Sequence, residues 1–261
     1  MQAIVDGLAM TYTDQGSGSP ALLFVHGFPL CRGAWQKQVA AFSSEHRVLA
    51  PDLRGLGESQ GSAGPVSMAR FADDLAALLR ELRTGPVILI GHSMGGYVAL
   101  AFVDRHPSQV GGLVLVGTRA GADTPEAAEK RRATATRVLH EGTAFLVADM
   151  APKMLAGDPP DADLIRQVGA LMEPARPQGV ASALQGMADR PDRTPDLARI
   201  QVPTLLITGA EDTLIPPSES QRMAAAIPGA QLEIIPHAGH LVAFEQAEAF
   251  NERLRAWLTK R

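Results

Sequence analysis

The amino-acid sequence predicts an α/β domain with a mostly parallel β-sheet and helices on both of its faces. Short apolar runs recur along the 261 residues, and stretches with helical spacing separate them. Continuous apolar strands that alternate with helices are typical of a parallel sheet covered on both faces. Two further observations refine this prediction. Residues 91–95 form a glycine-flanked serine motif between a strand and a helix, and residues 119–190 interrupt the alternation with proline-punctuated helices.

Six apolar runs predict the parallel strands, and they cover residues 21–26, 47–50, 86–90, 112–116, 202–208 and 231–235. The runs have the length and the β-branched content that buried strands require. Before them, the first twenty residues include Gly7 and a turn at residues 16–20. This segment predicts an antiparallel hairpin at one edge of the sheet.

One helix is predicted by spacing over residues 68–82, where apolar side chains recur at steps of three and four. Ser67 is expected to be its N-cap. Asp73 and Asp74 are expected to lie mostly on the face turned away from the core, so no chemistry is assigned to this helix.

Between residues 119 and 190, four helices are predicted, and the first of them begins after Thr124. Helices inserted between two sheet strands predict a lid over the carboxyl edge of the sheet. The chain therefore divides into a core at residues 1–118 and 191–261 and a helical cap at residues 119–190. Methionine and leucine side chains of the cap are expected to line a pocket, to bury the underside of the cap, or to do both.

The motif Gly-His-Ser-Met-Gly at residues 91–95 matches G-x-S-x-G. An apolar strand precedes it and an apolar helix follows, which places Ser93 on a sharp turn at the positive end of the helix. The flanking glycines allow strand and helix to approach where a Cβ atom would collide. Ser93 is therefore the candidate nucleophile.

A serine hydroxyl needs a base within hydrogen-bond reach to act as a nucleophile. Asp212 follows one predicted strand and His240 follows the next, so both are expected at the same sheet edge as Ser93. The chain order serine, aspartate, histidine is the order found with a nucleophile elbow. We assign His240 as the base and Asp212 as the acid that orients it. Glu211 and His237 are the alternatives for these two roles.

The tetrahedral intermediate formed at Ser93 needs N–H donors aimed at its oxyanion. The backbone N–H of Met94 is one candidate, and that of Phe28, in the loop after the first parallel strand, is the other. The Phe28 side chain is also expected to form a wall of the substrate pocket. His26 and His92 flank these positions, and hydrogen bonding or packing, not proton transfer, is expected of them.

Other chemistries receive less support from the sequence. The glycine-rich loop at residues 51–59 matches neither phosphate-binding motif, so a loop brace built on Asp52 and Arg54 is expected. His237 and His240 are close in sequence, but they lie in a loop and His240 already has a role. No metal site is therefore predicted. The mechanism requires no cofactor.

The composition and the charge limit the classes of partner that the protein is expected to bind. The net charge is only −4 and no basic cluster stands out, which argues against a nucleic-acid partner. The N-terminus lacks the pattern of a secretory signal, and no apolar run approaches the roughly 18 residues that span a bilayer. The single cysteine, Cys31, excludes an intramolecular disulfide. We expect a cytoplasmic protein that acts on a small molecule and has no membrane partner.

Taken together, these residues resemble the α/β-hydrolase family. The match covers residues 26–29, the loop at 52–59, the elbow at 91–95, and residues 209–212 and 237–240. The sequence is similar in particular to small bacterial carboxylesterases, cofactor-free haloperoxidase and perhydrolase esterases, and 3-oxoadipate enol-lactonases. The resemblance implies an eight-stranded, mostly parallel sheet with a helical cap between strands six and seven. Dehalogenase and epoxide-hydrolase relatives carry an acid at the elbow, so the serine found here argues against both activities.

The sequence thus predicts a serine hydrolase that cleaves small to medium carboxylic esters through a covalent acyl-enzyme. Acyl transfer to an alcohol or a peroxide is a secondary expectation. An enol-lactonase, an amidase or a C–C bond hydrolase would use the same three side chains, and only lid residues would discriminate among them. The alternative of another class is a non-enzymatic receptor for a small ligand, and the complete set of candidate catalytic residues weighs against it.

Overall fold

The computed structural model describes residues 1–260 and contains one eight-stranded sheet. Its strands are β1 Gln2–Val5, β2 Leu8–Gln15, β3 Ala21–Val25, β4 Val48–Pro51, β5 Val87–His92, β6 Val110–Val116, β7 Thr204–Gly209 and β8 Gln231–Ile235. Their order across the sheet is β1-β2-β4-β3-β5-β6-β7-β8. β2 pairs antiparallel with both β1 and β4, and every other pairing is parallel. The predicted fold class is confirmed.

The helices follow the strands in the alternation that the sequence predicts. They are α1 Gln36–Phe42, α2 Met68–Glu81, α3 Met94–Arg105, α4 Pro125–Glu141, α5 Ala144–Lys153, α6 Ala162–Met172, α7 Pro177–Ala188, α8 Pro217–Ala226, α9 Val242–Glu245 and α10 Ala247–Leu258. Two helix starts are confirmed by their caps. The Ser67 hydroxyl accepts the N–H of Arg70 at 3.1 Å, and the Thr124 hydroxyl accepts that of Ala127 at 3.2 Å.

The strand predictions differ from the structure mainly at strand ends. β5 continues through Gly91 and His92 because both residues pair with β6, although neither residue type favours a strand. The predicted hairpin consists of β1 and β2. Its turn is at Asp6 and Gly7, whose φ angles of 48° and 77° lie in the left-handed region that a tight hairpin turn uses.

The sheet separates two apolar layers. In β3, Leu23 and Val25 pack in the layer that contains α2 and α3, whereas Leu22 and Phe24 pack in the layer that contains α1 and α10. Successive side chains of a strand point to opposite faces, so a strand covered on both faces must be apolar throughout. This double coverage explains the unbroken apolar runs of the sequence.

The helices α4 to α7 all lie between β6 and β7 in the chain. Val180 of α7 belongs to the same apolar layer as α2 and α3. Met154, at the end of α5, and Met172 of α6 pack with Leu30 and Leu241, which follow β3 and β8. This segment is therefore joined by apolar contacts to the loops at the carboxyl ends of the strands. Its description as a separate cap domain remains a prediction.

The expectation that Asp74 faces away from the core is wrong. Its side chain is fully buried, and its two carboxylate oxygens accept the Nε and Nη2 hydrogens of Arg54 at 2.7 and 2.5 Å. Asp52, in the same loop as Arg54, instead accepts the backbone N–H groups of Arg32 and Glu58 at 2.6 and 2.9 Å. The loop brace is thus built from two separate interactions. A carboxylate can occupy the core side of a helix when a buried guanidinium satisfies it.

We expect Asp74→Ala to lower the free energy of unfolding by about 3–5 kcal/mol, because it leaves the buried Arg54 guanidinium without its carboxylate. Asp73→Ala is the matched control on the same helix. Asp73 pairs with Arg105 and His106 at the partly exposed surface, at 2.7 and 2.8 Å, so its loss should cost at most about 2 kcal/mol, about 1 kcal/mol for each pair. Urea denaturation of both variants measures the difference, and equal losses would contradict the assignment.

Candidate active site

Ser93 is the single residue between β5 and α3. Its φ of 53° and ψ of −115° are unfavourable for a residue with a side chain. Hydrogen bonds from outside the helix help to hold this strained corner. The Ser93 N–H donates to the carbonyl of Val116 at 2.9 Å, and the Thr118 hydroxyl donates to the Ser93 carbonyl at 2.8 Å. A conformation of this kind costs about 1–3 kcal/mol and persists only where the surroundings enforce it.

The glycines on either side of Ser93 are required by close backbone contacts. A Cβ atom on Gly91 would lie 2.3 Å from the carbonyl oxygen of Gly95, and one on Gly95 would lie 2.3 Å from that of Val25. Neither position has room for a side chain. Helix α3 therefore begins directly against the ends of β3 and β5, as the motif predicts.

Asp212 and His240 form a buried pair at the ends of β7 and β8. The Asp212 Oδ2 atom lies 2.8 Å from His240 Nδ1, and each residue is 3% exposed. The other carboxylate oxygen accepts the N–H groups of Leu214 and Ile215 at 2.9 and 2.8 Å. Both oxygens of this carboxylate thus have a partner. The imidazole is held through Nδ1, and its Nε2 has no hydrogen-bond partner within residues 1–260.

The alternatives Glu211 and His237 lie apart from this pair. Their side chains are exposed to solvent and approach each other only to 3.7 Å. Neither of them takes part in the hydrogen bonds of Asp212 or His240.

A cavity of about 180 Å³ contains both Ser93 and His240 in its wall. Phe28, Tyr97, Met154 and Met187 are among the other residues that line it. A larger cleft of about 470 Å³, lined by Arg32, Asp52 and Glu58, contains neither Ser93 nor His240. We take the smaller cavity as the candidate site because both the strained serine and the histidine of the buried pair line it.

Phe28 lines this cavity, and Met94 directly follows Ser93 in the chain. In the part of the chain that the structure describes, the backbone N–H of neither residue has a hydrogen-bond acceptor. Met94 is the first residue of α3, where the amide groups have no partner within the helix. Both amides therefore have an unused hydrogen-bond donor among the described residues.

His26 and His92 are structural histidines, as expected. The geometry makes His26 Nδ1 the donor to the Gly27 carbonyl, at 2.8 Å, and makes its Nε2 the acceptor of the Leu53 N–H, at 3.0 Å. His92 Nε2 lies 2.9 Å from the carbonyl oxygen of His240, to which it donates. Burial lowers the pKa of both side chains below the ordinary 6.5, and the nearby His240 lowers that of His92 further.

Sequence reasoning missed Glu245, which supports the loop of His240. Its two carboxylate oxygens accept the N–H of Ala156, at 2.6 Å, and that of Gly239, at 2.8 Å. Burial raises the pKa of Glu245 despite these two bonds. Its position at the end of the short helix α9 has no spacing or motif that would have singled it out. The arginines of the cavity, Arg119 and Arg131, were missed for the same reason.

No candidate metal centre accompanies this site. Within residues 1–260, no three or more histidine, cysteine, aspartate or glutamate side chains are arranged to hold a metal ion. Among the helices of these residues, none combines the length and the apolar character that a membrane span requires.

The sheet order, the serine at a strained strand-to-helix corner and the buried aspartate–histidine pair define an α/β hydrolase. Residues 20–247 match the α/β-hydrolase fold family, and the chain belongs to it. The family resemblance read from the sequence motifs is confirmed.

Several characterised proteins are similar to this chain over nearly its whole length. A thermophilic esterase from Thermogutta terrifontis, solved with malate bound, is 41% identical with a TM-score of 0.94, over 100% of this chain and 98% of its own. 3-Oxoadipate enol-lactonase 2 of Acinetobacter baylyi is 27% identical, over 95% of this chain and 92% of its own. The non-heme chloroperoxidase CPO-A1 of Kitasatospora aureofaciens is 29% identical, over 98% of each chain.

The neutral histidines generate a prediction about pH. His26 and His92 must be uncharged in the folded protein but titrate at about 6.5 when unfolded, so the unfolded state binds more protons at lower pH. The free energy of unfolding should therefore have its full value above pH 6.5 and should decrease as the pH is lowered below 6.5. The slope is up to about 1.4 kcal/mol per pH unit for each histidine.

Chemical denaturation between pH 5 and 8 measures this slope. His92→Asn should reduce this slope by the contribution of one histidine, up to about 1.4 kcal/mol per pH unit. This holds whatever the effect of the substitution on stability at pH 8. His140→Asn, at an exposed position of α4, should leave the slope as it is. A slope that is the same in all three proteins would contradict the neutral state of His92.

Proposed function

We propose that this chain is a serine hydrolase that cleaves carboxylic esters through a covalent acyl-enzyme. The observation that carries the proposal is the buried Asp212–His240 pair, at 2.8 Å, whose histidine lines the same cavity as Ser93. Family membership and the esterase, enol-lactonase and chloroperoxidase relatives support it. Each of the three side chains then has a distinct role in the reaction.

In the first half-reaction, the Ser93 hydroxyl attacks the ester carbonyl carbon. His240 Nε2 accepts the hydroxyl proton and then donates it to the departing alkoxide, which leaves as the alcohol. Asp212 receives the Nδ1 hydrogen of His240, so it fixes the tautomer and stabilises the imidazolium that forms between the two steps. The result is an ester of Ser93 with the acyl group.

The oxyanion of the tetrahedral intermediate would be held by the backbone N–H groups of Phe28 and Met94. Their lack of an acceptor supports this role, because a donor already bonded within the protein could not serve a developing charge. Each such donor is typically worth about 2.7–4 kcal/mol of barrier lowering. The Phe28 side chain would contact the acyl group, since it lines the same cavity.

In the second half-reaction, His240 removes a proton from water as the water oxygen attacks the acyl carbon. His240 then donates this proton to the Ser93 oxygen as the bond to the acyl carbon breaks, which releases the carboxylic acid and restores the free serine. An alcohol or a peroxide in the place of water would give acyl transfer. The similarity to a chloroperoxidase favours testing the peroxide. No cofactor takes part in any of these steps.

The substrate proposed is a small ester. The cavity of about 180 Å³ is below the roughly 300–1,000 Å³ of most small-molecule pockets, which disfavours long acyl chains. Residues 119–190 would act as the cap, since Met150, Met154 and Met187 from this segment line the cavity. We also propose that the protein acts in the cytoplasm.

An enol-lactone is the second candidate substrate. It is a cyclic ester, so the same three side chains would open it without a separate leaving group. The similarity to 3-oxoadipate enol-lactonase 2 favours this candidate, and hydrolysis of lactones beside open-chain esters would separate the two.

Ser93→Ala should abolish labelling by a fluorophosphonate probe and reduce ester hydrolysis by about 10,000-fold or more, because the acyl-enzyme cannot form. Mapping of the labelled peptide in the unmodified protein identifies the nucleophile directly. Hydrolysis of p-nitrophenyl acetate at an undiminished rate by the variant would refute the mechanism.

Asp212→Asn should lower kcat by about 10,000-fold, because the amide favours the wrong imidazole tautomer. Glu211→Gln is the matched control next to it in the chain. The Glu211 side chain is exposed and has no contact with His240, so kcat should stay within about twofold. A large loss of kcat in Glu211→Gln with little loss in Asp212→Asn would show that Glu211, and not Asp212, orients His240.

A further inference from the structure

Within residues 1–260, the wall of the candidate site cavity carries positive charge that no carboxylate in the wall balances. In the part of the chain that the structure describes, the permanently charged residues in its wall are Arg119 and Arg131, and no carboxylate lines it. Arg119 follows β6, and Arg131 lies on α4. The two guanidinium groups therefore share with Ser93 and His240 the space in which a substrate would bind.

A single carboxylate balances these cations. Asp123, whose side chain is fully buried, lies 2.6 Å from Arg119, 2.5 Å from Arg131 and 2.9 Å from Arg190. Burial raises the pKa of Asp123, but Arg131 and Arg190 outweigh it and hold this pKa below its usual range. Three guanidinium groups against one carboxylate leave the cluster with an excess of positive charge.

The arginines of the cavity also have unused hydrogen-bond donors. Arg119 makes one hydrogen bond, to Asp123, and its buried Nε has no acceptor among the described residues. The Nη1 of Arg131 has only the Met187 sulfur, at 3.6 Å, which is a weak acceptor. Arg190 also has a buried Nε without an acceptor among the described residues, but it does not line the cavity. Its other donors bind the carbonyls of Met187 and Gly121, and its guanidinium lies over the Tyr97 ring.

We propose that the ester cleaved at this site carries a free carboxylate, and that Arg119 and Arg131 bind it. The inference rests on the proposed function and specifies its substrate class. A guanidinium group presents paired N–H donors that fit a carboxylate, and such bonds are among the stronger ones in proteins. A neutral ester of the same shape would leave these donors unpaired, so the cavity discriminates against it.

The competing explanation is a purely structural cluster. Asp123 would then anchor α4 and the segment after β6, and the arginines would have no partner in the substrate. A structural cluster affects all esters alike, whereas carboxylate recognition affects the charged one. The ratio of two matched substrates separates these cases.

The first experiment compares monomethyl succinate with its neutral amide analogue, methyl succinamate. A second pair, acetoxyacetic acid and acetoxyacetamide, places the carboxylate on the alcohol side. We expect kcat/KM to favour the acid over the amide by roughly 10- to 100-fold in at least one pair, mainly through KM. Equal or lower kcat/KM for the acids in both pairs would overturn the inference without any variant.

Substitutions of Arg119 test whether this residue causes the preference for the acid over the amide. Arg119→Gln should reduce the acid-to-amide ratio by about tenfold, and Arg119→Lys should restore part of it, since it keeps the charge but not the paired donors. Arg132→Gln is the matched control on α4. Arg132 pairs with the exposed Asp189 and does not line the cavity, so the ratio should not change. A ratio that is unaffected in Arg119→Gln, or equally reduced in Arg132→Gln, would contradict the proposal.

Binding to Ser93→Ala keeps this inference separate from the proposed function. Calorimetric titration measures the binding of both pairs, monomethyl succinate with methyl succinamate and acetoxyacetic acid with acetoxyacetamide. In the pair for which the unmodified enzyme prefers the acid, the acid should also bind Ser93→Ala more tightly than the amide. If the unmodified protein hydrolyses none of these esters, the proposed function fails while the titration still decides on carboxylate binding. If it hydrolyses them with a Ser93-dependent rate and neither assay favours the acids, the function stands and the substrate class is wrong.

Discussion

The hydrogen bond between Asp212 and His240 is the constraint on which the candidate site depends. Burial of a carboxylate is costly unless all of its oxygens are satisfied, and here two backbone N–H groups and one imidazole satisfy them. The parallel strands β7 and β8 end at the same edge, which brings residues that are distant in the sequence within 2.8 Å. The imidazole is thereby fixed at the cavity that Ser93 lines.

The parts of the fold that the sequence could predict are those determined by local pattern. The buried strands are apolar because both faces are covered, and the caps at Ser67 and Thr124 act on residues close to them in the chain. The elbow is equally local, since Gly91 and Gly95 are needed within one turn of Ser93. Chain order and strand ends placed the acid in the loop after β7, and Asp212 was preferred to Glu211 because it is the shorter acid and lies farther into the loop.

The parts that could not be predicted depend on partners far apart in the chain. Asp74 lies on a charged part of its helix, and nothing in the helical spacing indicates that Arg54 will bury it. Asp123 likewise brings together arginines from beyond β6, from α4 and from the end of α7. Periodicity measures the apolar surface of one element, whereas these polar groups are placed by the meeting of several.

The two bonds of Glu245 link motions that would otherwise be independent. One carboxylate holds both the N–H of Ala156, beyond α5, and the N–H of Gly239, directly before His240. An outward swing of the polypeptide around Ala156 must either break its bond to Glu245 or pull the neighbouring histidine loop with it. The position of the His240 loop therefore depends on a carboxylate that it shares with the segment after α5.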